Sequence, residues 1–153
     1  DGVAMVHANE CTSRIDPWIE LFGEAALRLT GTINRDELFK TLYESALDKN
    51  STLGAFMRER LIEAIIDLKP GMDILIKKEH INIDFLYGHG GYFKSKSAGA
   101  TIMSAVLGIP IRLLKTASEG GPWGMAVLAA YCDIYEKKHC PFDEIIHQVF
   151  ERE

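Results

Sequence analysis

The sequence predicts an α/β domain in which helices cover parallel strands, and three observations carry that expectation. Short apolar runs at 81–87 and 109–114 have the length and character of buried strands. Each run leads to a glycine turn, Gly88-His89-Gly90-Gly91 after the first and Glu119-Gly120-Gly121 after the second. Each turn opens a helical pattern, and a helix, strand, helix, strand, helix order calls for βαβ crossovers and a parallel sheet.

Taken in order, residues 3–8 form a short apolar run with the character of a strand buried on both faces. Residues 9–14 are polar and read as loop. Asp16-Pro17 is a helix start, with Asp as N-cap and Pro at the first helical position. Trp18, Leu21, Phe22, Ala25 and Leu29 then make one apolar face, and Gly31 ends the helix. Asn34 followed by Glu37 resembles a capping box for a second helix carried by Leu38, Leu42 and Leu47. Both helices read as packing elements without chemistry.

After a polar break at 48–52, Thr52 is placed to cap a long amphipathic helix. Its stripe is Leu53, Phe56, Met57, Leu61, Ile65, Leu68, Met72 and Leu75, with Met57 and Met72 as core filling. Pro70-Gly71 interrupts the stripe, so a kink or a break into two helices is expected there. Lys77-Lys78-Glu79-His80 places positive charge at the helix end, where the dipole favours it. Ser97 is the expected cap of a helix through Ala98, Ile102, Met103, Val106 and Leu107, which Gly108 terminates. Pro110 stands near the start of the second strand, where its missing N–H is tolerated. The last helix, from Gly121-Pro122 to Tyr131, is apolar nearly all round and is expected to be deeply buried.

A chain of 153 residues fits one domain with a real core, and 47% apolar with 25% charged residues is ordinary for a globular protein. A net charge of -5, with Lys and Arg scattered among acids, disfavours nucleic acid as a partner. Cys11, Cys132 and Cys140 lack framework spacing and read as reduced thiols of a cytoplasmic protein. Cys132, His139 and Cys140 also lack metal-ligand spacing, so no metal site is assigned. No apolar run approaches the roughly 18 residues of a membrane span. The start at Asp1-Gly2, without an initiator Met, suggests a piece of a longer chain.

Glycine turns between strands and helices offer backbone N–H groups and the positive end of a helix dipole, which suit phosphate. In such a fold, ligands sit beyond the carboxyl ends of the strands, where both turns fall. Neither turn is a Walker A loop or a G-x-G-x-x-G fingerprint, and tight turning alone also explains glycines there.

The run Gly88-His89-Gly90-Gly91-Tyr92-Phe93-Lys94, followed by Ile102-Met103-Ser104-Ala105-Val106-Leu107-Gly108-Ile109-Pro110-Ile111, resembles the G-G-G-x-[RK]-S … LA-x-x-LG-x-P-V segment of FGGY carbohydrate kinases. The run from Glu119-Gly120-Gly121-Pro122-Trp123-Gly124 through Ala129-Ala130-Tyr131 resembles their E-x-x-x-x-G-A-A-x-L-A segment. Asp16-Pro17-Trp18 and Ala55-Phe56-Met57-Arg58 are similar to a xylulokinase-like branch. The resemblance implies an actin-like (ribonuclease H-like) ATPase fold, with residues 1–153 a partial C-terminal domain carrying parallel strands and extra helices. It further implies a parent sugar kinase using ATP and Mg²⁺ to phosphorylate a ketose hydroxyl, D-xylulose first, with ribulose or gluconate as alternatives.

On that resemblance Gly88, Gly90 and Gly91 would offer N–H groups and close backbone approach to the nucleotide. Phe93 would flank adenosine or take a core position. Lys94 would sit near a phosphate or in solvent. Glu119 would serve as a helix-start charge or stand behind Mg²⁺. The sugar site and the catalytic Asp, in a hairpin at the start of the C-terminal domain, are expected upstream of Asp1, so no catalytic or metal residue is named. Near Lys49-Asn50, where such kinases carry a further glycine-rich segment, either a deletion or a junction of two separate pieces of the chain is expected. A homodimer is possible on this reading, and a non-catalytic actin-like module is the alternative.

Overall fold

The computed structural model describes residues 5, 6, 11–117, 120–139, 141 and 144. Among the described residues six helices and two strands follow one another: α1 (Asp16–Thr30), α2 (Arg35–Ser45), α3 (Thr52–Ile65), α4 (Leu68–Lys77), β1 (Leu86–Gly88), α5 (Lys96–Leu107), β2 (Ile111–Leu113) and α6 (Gly120–Lys138). A 3-10 turn, Gly91–Phe93, lies between β1 and α5.

The strands pair in parallel, as expected, with Leu86 opposite Ile111, Tyr87 opposite Arg112 and Gly88 opposite Leu113. Pairing is shorter than the apolar runs. Pro110 contributes only its carbonyl, which accepts from Leu86 N–H at 2.9 Å, so the ladder begins there. Ahead of β1, Ile81 N–H returns to Leu75 C=O at 3.0 Å, which uses a backbone donor that a longer strand would need. Met5 and Val6, the described part of the run at 3–8, have no regular structure. The rest of that run lies outside the described residues.

Helix boundaries depart from expectation by small steps with identifiable causes. Ile15, not Asp16, is the N-cap of α1, because Thr12 C=O accepts from both Ile15 and Asp16 N–H, at 2.8 and 3.1 Å, and stands in for a capping side chain. Gly31 does close α1, in the left-handed conformation at φ 76°. Asn34 caps α2 as predicted, its side chain accepting from Asp36 and Glu37 N–H. Ser51 rather than Thr52 caps α3, accepting from Gly54 N–H at 3.1 Å, and Ser95 rather than Ser97 is the N-cap of α5. The α3–α4 break falls at Ile66-Asp67, ahead of Pro70-Gly71. Pro70 lies in the first turn of α4, where no intrahelical N–H bond is required of it.

The main core is built where α1, α2, α3 and α5 meet. Ile15, Leu42, Tyr43, Met57, Leu61, Ile65, Tyr92, Phe93, Ala98 and Ile102 are buried together. Each large apolar side chain among them stabilises the fold by about 1.5–3 kcal/mol relative to exposure. Met57 and Met72 are core residues, as their place on the stripe implied. The packed face of α1 is rotated from the expected one: Ile19, Phe22 and Gly23 face inward, whereas Leu21 and Leu29 are exposed. Trp18 and Phe22 still reach Phe56, with ring centroids 5.0 and 5.9 Å apart.

The expectation for α6 is overturned. Met125 is 67% exposed, and Leu128 and Tyr135 are 48% exposed. No described atom lies within 4 Å of where a Cβ would stand at Gly121 or Gly124. Apolarity on all sides implies burial only where another element is present to cover the helix.

The short link at 46–51 is tightly closed. Arg58 donates from Nε to Ala46 C=O at 2.9 Å and from its terminal nitrogen to Asp48 C=O at 3.0 Å. Asn50 N–H is held by the Asp48 side chain, and Gly54 brings its α-carbon against the carbonyls of Ser45 and Asp48, leaving no room for a Cβ.

Candidate functional site

The glycine turn that follows β1 lies at the carboxyl ends of both strands, and two long-range hydrogen bonds anchor it. Gly90 N–H donates to Ala117 C=O at 2.8 Å, tying the loop after β1 to the loop after β2. Tyr92 Oη donates to Leu61 C=O at 3.1 Å, tying the turn to the middle of α3. The Phe93 and Lys94 amides return to Gly90 and Gly91 carbonyls at 3.0 and 3.2 Å, forming the 3-10 turn.

The three glycines have three different reasons to be glycine. Gly88 is enclosed: a Cβ there would stand 2.6 Å from Phe93 and 2.7 Å from Leu113. Its smallness serves packing between strand and turn. Gly90 has φ 96° and ψ -174°, a conformation essentially confined to glycine, with open space where a Cβ would be. Gly91 is exposed, and its nearest neighbour in the Cβ direction is Thr12 Cγ2 at 3.6 Å. The backbone is thus open to approach at Gly90 and Gly91 and closed at Gly88. The expectation that all three N–H groups wait for a ligand is corrected at Gly90, whose N–H is engaged by Ala117.

Phe93 takes the core position. It is 4% exposed, packs under Gly88 and lies against Tyr92. Lys94 points elsewhere: its Nζ is 5.7 Å from the Phe39 ring centroid, and it lines a groove of about 550 Å³ between α1 and α2. Ile19, Gly23, Leu27, Ile33, Leu38 and Phe39 make the apolar walls of that groove. Glu20 and Arg35 meet across it in a two-point ion pair at 2.8 and 3.0 Å. Glu119 lies outside the described residues.

Sequence reading assigned no chemistry to α1 and α2 and so passed over this groove. One signal was available. Gly23 stands mid-helix, where glycine costs about 1 kcal/mol relative to alanine, and such a residue marks a close approach. Here a Cβ would stand 3.2 Å from Ile33 and 3.3 Å from Leu38.

Beside the turn, half-buried Cys11 packs against a core that contains the buried Tyr43 and Tyr92. Burial pushes the Cys11 thiol up, partly countered by Arg14, and burial pushes both phenols well above the usual tyrosine range. All three are therefore neutral at ordinary pH, and Tyr92 is a hydrogen-bond donor. Cys132 is exposed, Cys140 lies outside the described residues, and no metal-type group of acids, His and Cys occurs among the described residues. Among those residues, no helix is long and apolar enough to cross a membrane.

The class defined by this architecture is a mostly helical α/β domain around a short parallel sheet, with a glycine turn at the strand ends. The model of the C-terminal domain of the FGGY family of carbohydrate kinases matches residues 34–132, from the cap of α2 into α6 and across both glycine turns. The chain belongs to that family, and its architecture is consistent with part of the family's actin-like ATPase fold. No curated protein and no solved structure matches it.

Proposed function

We propose that residues 1–153 form part of the nucleotide-binding domain of an ATP-dependent sugar kinase, with phosphates over the backbone at Gly90 and Gly91 and adenosine in the α1–α2 groove. The observation that carries this reading is Lys94. The residue that ends the glycine turn also lines the groove, so an open backbone and a nucleoside-sized, apolar-walled space adjoin. Gly91 supplies the approach, Lys94 a cation, and Ile19, Leu27 and Phe39 apolar surface for a base. Gly88 and Phe93 support the turn from beneath.

Mg²⁺ on this reading arrives with ATP and neutralises charge on the transferred phosphoryl group. The described residues contain no carboxylate cluster to hold it independently. The acceptor is proposed to be a ketose hydroxyl, D-xylulose giving xylulose 5-phosphate, with ribulose and gluconate as competing substrates. The sugar contacts are assigned to the sugar-binding domain of the parent enzyme, and the base to the hairpin at the start of its C-terminal domain.

Calorimetry with ADP in the presence of Mg²⁺ tests the nucleotide site. Binding is expected for the wild type, with a loss of about tenfold or more in Gly91→Val, whose side chain would occupy the open approach. Absence of heat at millimolar ADP, or equal affinity in Gly91→Val, would overturn the assignment.

A further inference from the structure

We infer that Tyr92 is a positioning residue for the phosphate side of the nucleotide site, acting through the backbone at Gly90 and Gly91. The inference rests on the nucleotide reading above and adds a residue that reading does not use.

Tyr92 sits one residue beyond Gly91 and is 3% exposed. Three contacts fix it. Its hydroxyl donates to Leu61 C=O in α3, its ring meets Tyr43 edge-on at 6.4 Å, and the same ring meets Phe93 edge-on at 5.4 Å. Its own carbonyl lies against Gly99 in α5, where a Cβ would have no room. Side chain and backbone of one residue are therefore held by two different helices, directly after the part of the turn that is open to a ligand.

On the other side, Gly90 N–H is fixed by Ala117. Gly90 and Gly91 are thus suspended between two anchors. The Ala117 anchor is backbone and persists in side-chain variants of Tyr92, whereas the hydrogen-bonded part of the Tyr92 anchor depends on one oxygen atom. Without it the ring remains packed in the core, but the turn loses its hydrogen bond to α3. A preorganised backbone donor, on this reading Gly91 N–H, loses value when the geometry that aims it relaxes.

The prediction separates the two ends of the nucleotide. Adenosine contacts lie in the α1–α2 groove, which Tyr92 does not line. Removing the hydroxyl should therefore weaken ADP and leave adenosine unaffected, a split that a general loss of stability would not produce. Calorimetry on this chain, wild type and Tyr92→Phe, with Mg-ADP and with adenosine, provides the test. Expected is a loss of about three- to fivefold in ADP affinity, because only the reordering of a relaxed turn counts against binding, with adenosine affinity changed less than about twofold.

Equal weakening of both ligands, or no change in either, overturns the positioning role while leaving the nucleotide site standing. Wild-type binding of ADP without measurable adenosine also overturns it, because no base-side affinity then exists to be spared. Failure of Tyr92→Phe to fold, read from a thermal melt, counts against it as well, since the hydroxyl is then a stability element. Absence of ADP binding in the wild type removes the site itself and this role with it.

Discussion

Replacing Gly90 by alanine isolates backbone conformation from every other property of the turn. At φ 96° and ψ -174° the residue occupies a region that side-chain-bearing residues essentially avoid, and forcing one there costs about 1–3 kcal/mol. No steric contribution adds to this, because nothing lies within 4 Å of the new Cβ. The bond from residue 90 to Ala117 is retained, since alanine keeps its N–H. Lower chain entropy in the unfolded state offsets about 0.4–1 kcal/mol. The middle of these ranges leaves a net loss of about 1.3 kcal/mol, equivalent to a fall of about 3–5 °C in Tm for a chain of this size.

Gly91→Ala is the matched control. Gly91 is not among the glycines with positive φ, and its Cβ would make only an ordinary contact with Thr12. Its stability should stay within about 0.5 kcal/mol of the wild type. Thermal and urea unfolding of the two variants decide the matter. Equal stability of Gly90→Ala and wild type, or an equal loss in Gly91→Ala, would refute the account of the turn.

Two further expectations concern the scaffold. Arg58→Met deprives two carbonyls of a charged donor and should lower stability by about 1–3 kcal/mol, read from urea midpoints at unchanged m-value. Raised phenol pKa values at Tyr43 and Tyr92 mean that the unfolded chain ionises first, so their contribution is intact below about pH 10 and declines above it. Guanidinium unfolding from about pH 8 to about pH 11 should show that decline, less steeply in Tyr43→Phe; a flat profile would contradict it.

The parallel crossover was legible because apolar runs and glycine turns alternate, and the match at 34–132 agrees with the family resemblance drawn from those turns. Met57 and Met72 were legible from spacing alone. The groove between α1 and α2 was not, because pattern reading assigns apolar residues to a core and cannot say where two helices diverge. Gly88, Gly90 and Gly91 look equivalent in sequence, yet Phe93 and Leu113 enclose the first, backbone geometry selects the second, and the third is open. The face of α1 was misplaced because Leu21 and Leu29 satisfy the helical period without meeting a neighbour, while Gly23 carries the contact. The apolar character of α6 was legible and its exposure was not, since composition does not reveal whether a covering element is present.

The Arg58 clamp has a consequence for the order in which structure accumulates. Helix α2 ends at Ala46 in a right-handed conformation, without the left-handed glycine that commonly finishes a helix. The carbonyls of Ala46 and Asp48 are satisfied by a guanidinium from α3. The Tyr43, Glu44 and Ser45 carbonyls accept locally from Ala46, Leu47 and Asp48 N–H, so α2 is turned off by its own backbone, while the Ala46 and Asp48 carbonyls just beyond become fixed only when α3 docks. The α2–α3 hairpin should open and close as one cooperative unit, with amides near the end of α2 exchanging with solvent at the rate of α3 undocking rather than by fraying alone.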